Sequence, residues 1–350
     1  MRRLILDTVR RVAGTQQLRR SVDALEGEAA VLRGELNGLR GELDGLRSEV
    51  LGLRRDLAAL AEAERRRLPQ LPGTPYGTVT IPLEYPPSRD LRPRWGNTQP
   101  PLQPILDWIR PNEAAYREIL SAIRARAPAL ARIALDFDPA KLPEPAWRGV
   151  PFAPFDSAAL YTLIGEYRPK LYLEIGSGIT TAFAHRSVRD HSLSTRIVSI
   201  DPEPRAAIDG ICDAVVRAGL ETCDLSLFDQ LEAGDILFLD GSHRVFMNSD
   251  VTVFMLDVLP RVKPGVLIHV HDIALPWDYP DMFIPWYWSE AYILAAYIIG
   301  GANRLKPVLP TAWVCRDPAF AEWFDTPPVD LGAANDGWRG GGSMWFTKLD

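Results

Sequence analysis

The chain has 350 residues, of which 47% are hydrophobic and 24% charged, with a formal net charge of −6. That balance suits a soluble protein with a sizeable core and excludes a general nucleic-acid binder, which carries a basic surplus. Three scattered cysteines, Cys212, Cys223 and Cys315, match neither zinc-ligand spacing nor a disulfide framework, and so point to a reducing compartment.

The first element is a helical lead-in over residues 1–14, MRRLILDTVRRVAG. Its basic residues precede neither a long apolar core nor a cleavage site, which argues against a secretory signal. Leu4, Ile5, Val9 and Val12 among arginines also suit a short interfacial helix in weak peripheral contact with a membrane. No apolar run reaches the roughly 20 residues of a transmembrane span. The expected location is cytoplasmic, with the inner membrane face as a peripheral alternative.

Residues 15–66 read as a coiled-coil oligomerisation segment. From Leu18 to Leu60 the apolar residues step by four and three without a break. Val22, Ala29, Leu36, Leu43, Val50 and Leu57 fall at a; Leu18, Leu25, Leu32, Leu39, Leu46, Leu53 and Leu60 fall at d. A strict heptad of this kind specifies a left-handed coiled coil. Glu28, Glu35, Glu42 and Glu49 at g face Arg33, Arg40, Arg47 and Arg54 at e of a parallel partner chain. Gly27, Gly34, Gly38, Gly41, Gly45 and Gly52 sit on the outer positions, each weakening a lone helix by about 1 kcal/mol. The helix is therefore expected to depend on a partner, as a parallel homodimer or trimer. A long helix folded back on its own domain is the plain alternative.

Residues 67–104 are rich in proline and turn signals and read as an extended linker. Helical patterning resumes over 105–150, chiefly from Ile105 to Ala134, as a cap on the domain spanning 151–350. A further helix is expected near the start of that domain, from Ser157 to Tyr167.

After Pro169 the pattern changes. KLYLEIGSG, TRIVSID, DILFLD and GVLIHVHD are short apolar runs separated by helical stretches. That alternation predicts an α/β fold with a mostly parallel sheet covered on both faces. Ligands bind such sheets outside the carboxyl ends of the strands. The polar residues gather there: Glu174, Gly176, Ser177 and Gly178 after the first strand, Asp201 after the second, Asp240 and His243 after the next strong one, then His271 and Asp272. The turn EIGSGITTAF lets a cofactor approach the backbone, and Asp201 stands where a ribose-binding acid is expected. Thr181 replaces the third glycine of a full dinucleotide fingerprint. A tight strand-to-helix turn is the plain alternative.

The segments LEIGSG, SID, LFLDGSH and HVHD resemble the class I S-adenosylmethionine-dependent methyltransferases. The nearest likeness is to the metal-dependent sugar O-methyltransferases of the macrocin and mycinamicin type, and to related bacterial methyltransferases of surface-glycan pathways. It covers about Phe152 to Asp350. The resemblance implies a Rossmann-like seven-stranded sheet ending in an antiparallel hairpin, for which KPVLPTAWVC and GGSMWFTKL are the available segments. It implies S-adenosylmethionine held by Glu174, Gly176, Ser177, Gly178, Asp201 and Asp240. It also implies a divalent metal, placed here on Asp240, His271 and Asp272, with His243 as general base and a glycan or other sugar-bearing acceptor; the hard oxygens of Asp240 and Asp272 suit magnesium or manganese. The family has Glu-Asp after strand five where this chain has His271-Asp272, and imidazole suits zinc, iron or nickel better than magnesium.

The residues support the same chemistry directly. A base in reach of an alcohol takes its proton as the methyl transfers, and a metal on the same oxygen lowers its pKa. Capping of a turn by Asp240 and His243, and a satisfied strand-end role for His271, are the bland readings. His269 is expected deeper and outside the site. Trp277, Tyr279, Trp286, Tyr287 and Trp288 suit a sugar ring or the packing of a long loop. Arg244 and Asn248 suit substrate contacts or a helix cap, and Tyr292 and Leu294 suit the core. Three alternatives stay open: a metal-independent methyltransferase using His243 alone, a coiled-coil scaffold with a degenerate enzyme domain, and an oxidoreductase or hydroxylase on the same sheet.

Overall fold

The computed structural model describes residues 2–67, 85, 92–96, 99–204, 207–301 and 304–349. The chain divides into two compact units, residues 1–87 and 88–350. Most of the expected linker, residues 67–104, lies outside the described residues.

The first unit is built on one helix, α1 (Arg2–Arg67). Its heptad leucines bury little of themselves: Leu25, Leu32, Leu39, Leu46 and Leu53 are 61–64% exposed. No described helix is long and apolar enough to cross a membrane.

The second unit opens with α2 (Gln103–Ile109), α3 (Glu113–Ala125) and α4 (Ala127–Leu130). The expected run to Ala134 is thus broken. Pro111 and Pro128 each start a new turn, and proline is tolerated only at such starts. Two short parallel strands, β1 (Ala134–Asp136) and β2 (Ala146–Arg148), stand where a helical cap was expected. Helices α2 and α3 bury Ile105, Ile109, Tyr116 and Ile123, and the indole of Trp108 donates to the Leu305 carbonyl at 2.8 Å.

The main sheet is assembled from β3 (Leu171–Ile175), β4 (Arg196–Ile200), β5 (Ala214–Val216), β6 (Ile236–Leu239), β7 (Leu267–Val270), β8 (Leu305–Pro310) and β9 (Met344–Lys348). The order is β5-β4-β3-β6-β7-β9-β8, parallel except for β9, which runs antiparallel to both β7 and β8. The expected seven-stranded sheet with a terminal antiparallel hairpin is therefore present. Within its two segments, TAWV is helical and comes directly after β8. Strands β3, β6 and β7 are buried along their whole length, as continuous apolar runs must be when both faces are covered.

The connecting helices are α5 (Pro154–Tyr167), α6 (Ile179–Asp190), α7 (Asp250–Val253), α8 (Leu259–Arg261), α9 (Glu290–Gly301), α10 (Thr311–Val314) and α11 (Ala321–Asp325). Helix α5 starts three residues before the expected Ser157, because Pro154 fits the first helical position. It ends at Arg168, whose left-handed φ of 48° precedes Pro169 and releases the chain into β3.

Candidate active site at the strand ends

The sheet ladder runs one residue past the strands and sets the site. Gly176 N donates to Ile200 O, Asp201 N to Val216 O, Asp240 N to Ile175 O and His271 N to Leu239 O, all at 2.9–3.0 Å. These four residues therefore stand along one sheet edge, the carboxyl end. Gly176 has φ +77°, and a Cβ there would collide with the backbone oxygen of Asp240. Glycine is what lets the β3 turn close against the end of β6.

The turn itself is rigid. Ser177 donates to Asp201 Oδ2 from its backbone N at 2.7 Å and from Oγ at 3.2 Å, and Glu203 N donates to Asp201 Oδ1 at 2.8 Å. Asp201 thus holds the turn from below while remaining partly exposed. Gly178 starts α6, and a Cβ there would meet nothing within 4 Å. Open space beside a helix N-terminus is what a cofactor needs to reach backbone N–H groups. Glu174 is fully buried and accepts from Tyr172 at 3.1 Å and from Thr181. Burial pushes its carboxyl up to about 8 despite those hydrogen bonds.

Beyond β6 the chain turns through His243, whose φ is +61°, and beyond β7 through Asp272, whose φ is +53°. For residues with a Cβ this region costs about 1 kcal/mol or more and persists only where neighbours enforce it. The neighbours are visible. Ser289 N and Glu290 N donate to the His243 carbonyl at 2.8 and 3.2 Å, and Val245 N donates to Ser289 Oγ at 2.9 Å. The first turn of α9 thus fixes the loop after β6. Ser242 is fixed from the other side by both carboxylate oxygens of Asp250 at the start of α7.

The side chains converge. His243 Nε2 lies 3.5 Å from Asp240 Oδ1 and 3.6 Å from Asp272 Oδ2. His271 Nδ1 lies 3.5 Å from Asp240 Oδ1 and 3.6 Å from Asp272 Oδ2. Asp240, His243 and Asp272 offer ligand atoms all within 4.8 Å of one another, a spacing that one metal ion spans. The donor set, two carboxylates and an imidazole, suits a divalent ion. Expected ligand His271 flanks this trio and touches both carboxylates.

Two buried acids complete the site, and neither was expected from sequence. Glu290 is fully buried and its Oε2 lies 3.0 Å from His243 Nδ1. This contact leaves Nε2 facing the two aspartates. Asp156 is 1% exposed, and its Oδ2 stands 4.0 Å from His271 Nε2. A signal existed for each: a single acid in an otherwise apolar helical run, SEAYILAAYI and PFDSAAL. Distances in sequence of 47 and 115 residues hid the pairings.

The charges result from this packing. Burial alone would lower His243, but the hydrogen bond and charge of Glu290, with Asp240 and Asp272, raise it above its ordinary 6.5. His271 is likewise opposed by burial, yet Asp272, Asp240 and Asp156 push it up to about 10. Asp240 is driven up by burial and down by His271 and His243, and the histidines win. His269 is fully buried, donates to or accepts from Ser343 Oγ at 2.8 Å and stacks on Phe238, which keeps it out of the site as expected.

The aromatic loop divides in two. Trp288 packs on His243 with ring centroids 4.1 Å apart, and Tyr279 is buried. Trp286 and Tyr287 are 39% and 49% exposed beside them. Arg244 donates to the Trp286 carbonyl at 3.0 Å, tying the two loops together, while Ser249, not Asn248, caps α7. Leu294 is core as expected; Tyr292 is not, being 41% exposed with its hydroxyl on Asp278.

Residues 173–273, from β3 to just past β7, match the profile of a methyltransferase domain family. No curated protein matches the chain. Several solved structures are similar in part. One is an O-methyltransferase from Bacillus cereus in complex with S-adenosylhomocysteine: 17% identity, 71% of this chain and 96% of that one, TM-score 0.35. Another is the S-adenosylhomocysteine-bound methyltransferase PaMTH1 of Podospora anserina: 16% identity, 73% and 100%, TM-score 0.36. A third is TomG of Streptomyces achromogenes, an O-methyltransferase involved in tomaymycin synthesis, in complex with S-adenosylmethionine: 17% identity, 58% and 89%, TM-score 0.32. Within the sheet unit, residues 173–273 are therefore similar to a methyltransferase domain.

Proposed function

We propose that the protein is an S-adenosylmethionine-dependent O-methyltransferase that methylates a sugar hydroxyl, assisted by a divalent metal, with His243 as general base. The observation that carries this reading is one adjacency. The Gly176 turn packs against Asp240, and Asp240 opens the Asp240–His243–Asp272 cluster. A methyl donor on the first and an acceptor hydroxyl on the second would meet.

In this reading Gly176, Ser177, Gly178, Asp201 and Asp240 bind the cofactor, while Glu174, expected among them, is fully buried and buttresses their turn. Asp240, Asp272 and His271 hold the ion, which when bound would acidify and orient the acceptor hydroxyl. His243 accepts the hydroxyl proton at Nε2 while Glu290 keeps Nδ1 protonated. The acceptor oxygen bonds to the methyl carbon as the carbon–sulfur bond breaks, leaving S-adenosylhomocysteine. Trp286 and Tyr287, exposed beside the site, offer ring faces of the kind that hold sugars. The likeness to macrocin- and mycinamicin-type enzymes supports the same acceptor class.

His243→Ala should lower methyl transfer by about 10²- to 10⁴-fold with S-adenosylmethionine affinity kept. Retained turnover would remove His243 as the base. A second reading, metal-independent transfer, is favoured by one observation: His271 Nδ1 already lies 3.5 and 3.6 Å from the carboxylates of Asp240 and Asp272, where it can offset their charge without an ion. Turnover insensitive to a chelator would select it.

The exposed a and d leucines of α1, with glutamates at g and arginines at e, support a parallel homo-oligomer. Such an oligomer gathers several active sites on one polymeric acceptor. A monomeric mass in light scattering, unchanged on deleting residues 15–66, would end this part of the reading.

A further inference from the structure

His271 is the residue at which this chain leaves its family's pattern, and the structure surrounds it with features that call for a ligand. The residue is 5% exposed. Its Nδ1 is buried with no hydrogen-bond partner, yet faces Asp240 Oδ1 at 3.5 Å and Asp272 Oδ2 at 3.6 Å. Ions bound at about 2.1 Å place neighbouring ligand atoms roughly 3.0–3.5 Å apart, close to these separations.

The ring is held from behind. Phe152 packs on it with ring centroids 5.0 Å apart. Asp156 faces its Nε2 side at 4.0 Å. That carboxylate is itself locked, accepting from Thr311 Oγ1 at 2.6 Å and from Gly342 N at 2.8 Å. At 4.0 Å its approach to Nε2 is a charge contact and not a hydrogen bond; a carboxylate on the far side of the ring is a common companion of a metal-binding histidine, and a small shift of the ring would bring Nε2 into hydrogen-bond reach.

We propose that Asp156 positions His271 so that Nδ1 is a metal ligand, making this a mixed nitrogen–oxygen site for a transition-metal ion of the manganese-to-zinc series in place of magnesium. The inference rests on the methyltransferase reading and specifies its metal. Magnesium favours all-oxygen octahedra, whereas imidazole favours the later divalent ions. Asp156 is a positioning residue, since it touches no ligand of the reaction.

The test uses the full-length protein stripped of metal, titrated separately with zinc and magnesium ions, and a manganese-loaded sample read by electron spin-echo modulation for coordinated nitrogen. Most sites favour zinc over magnesium, so the decisive quantity is a change in that preference. His271→Glu should reduce the zinc-to-magnesium preference at least tenfold. Asp156→Asn should weaken zinc binding by about 10- to 100-fold with S-adenosylhomocysteine affinity unchanged. Nitrogen modulation should be lost or halved in His271→Ala. An unchanged preference in His271→Glu, or full modulation in His271→Ala with its loss only in His243→Ala, overturns the proposal. If His271→Glu fails to fold, the spectrum of His271→Ala decides. S-adenosylhomocysteine binding without any bound ion sinks this inference alone; ion binding without S-adenosylhomocysteine binding sinks the methyltransferase reading instead.

Discussion

Helix α1 and the sheet unit use apolar residues in opposite ways. In the sheet unit Leu173, Phe238, Leu239, Ile268 and Val270 are 0–1% exposed, and burying such side chains is the main favourable term in folding. In α1 the leucines of the heptad are mostly exposed and six glycines interrupt its outer face. One unit satisfies its own surface. The other presents a patterned apolar surface of the kind that the proposed partner helix would cover.

That contrast can be broken in four ways. The largest effect is expected from Phe238→Ala, which empties the space between Phe152, Tyr172 and His269; it should cost about 3–5 kcal/mol in denaturant unfolding of the sheet unit. The far-ultraviolet signal of α1 should not change. Next, the double change Leu39→Asp and Leu46→Asp should weaken self-association at least hundredfold, about 2.7 kcal/mol, in sedimentation equilibrium. The midpoint of the sheet unit should stay where it was; a shared shift would mean that the units fold together.

The third concerns pH. Glu174 moves from its ordinary 4.5 to about 8 because burial outweighs the hydrogen bonds from Thr180, Thr181 and Tyr172. A carboxyl raised on folding stabilises the fold in its protonated form. That contribution is complete below pH 4.5 and is lost as pH rises towards 8. Glu174→Gln should flatten the stability of the sheet unit across this window, while α1 shows no such dependence. The smallest effect is Gly38→Ala, which has open space around its Cβ position and should stabilise α1 by about 1 kcal/mol in thermal melts.

The same contrast explains what was legible in the sequence. Strands β3, β4, β6 and β7 could be read because each is an apolar run closed by a polar residue, and the parallel arrangement then brings those ends together. Asp240, His243 and Asp272 meet for that reason. Strand β5 was not read, since three residues, Ala214–Val216, make no pattern. Glu290 and Asp156 were not read because their partners are fixed by tertiary packing, not by spacing. The break of the expected 105–134 helix had a local cause in Pro111 and Pro128, but β1 and β2 had none that a periodicity reveals.

The central claim is that the Gly176 turn and the Asp240–His243–Asp272 cluster form one methyl-transfer centre. Calorimetric titration of S-adenosylmethionine into the full-length protein and into His243→Ala tests it most directly, because it needs no knowledge of the acceptor. One cofactor per chain is expected in both proteins with affinities within about threefold, a difference under 1 kcal/mol. No binding to the unaltered protein would contradict the account.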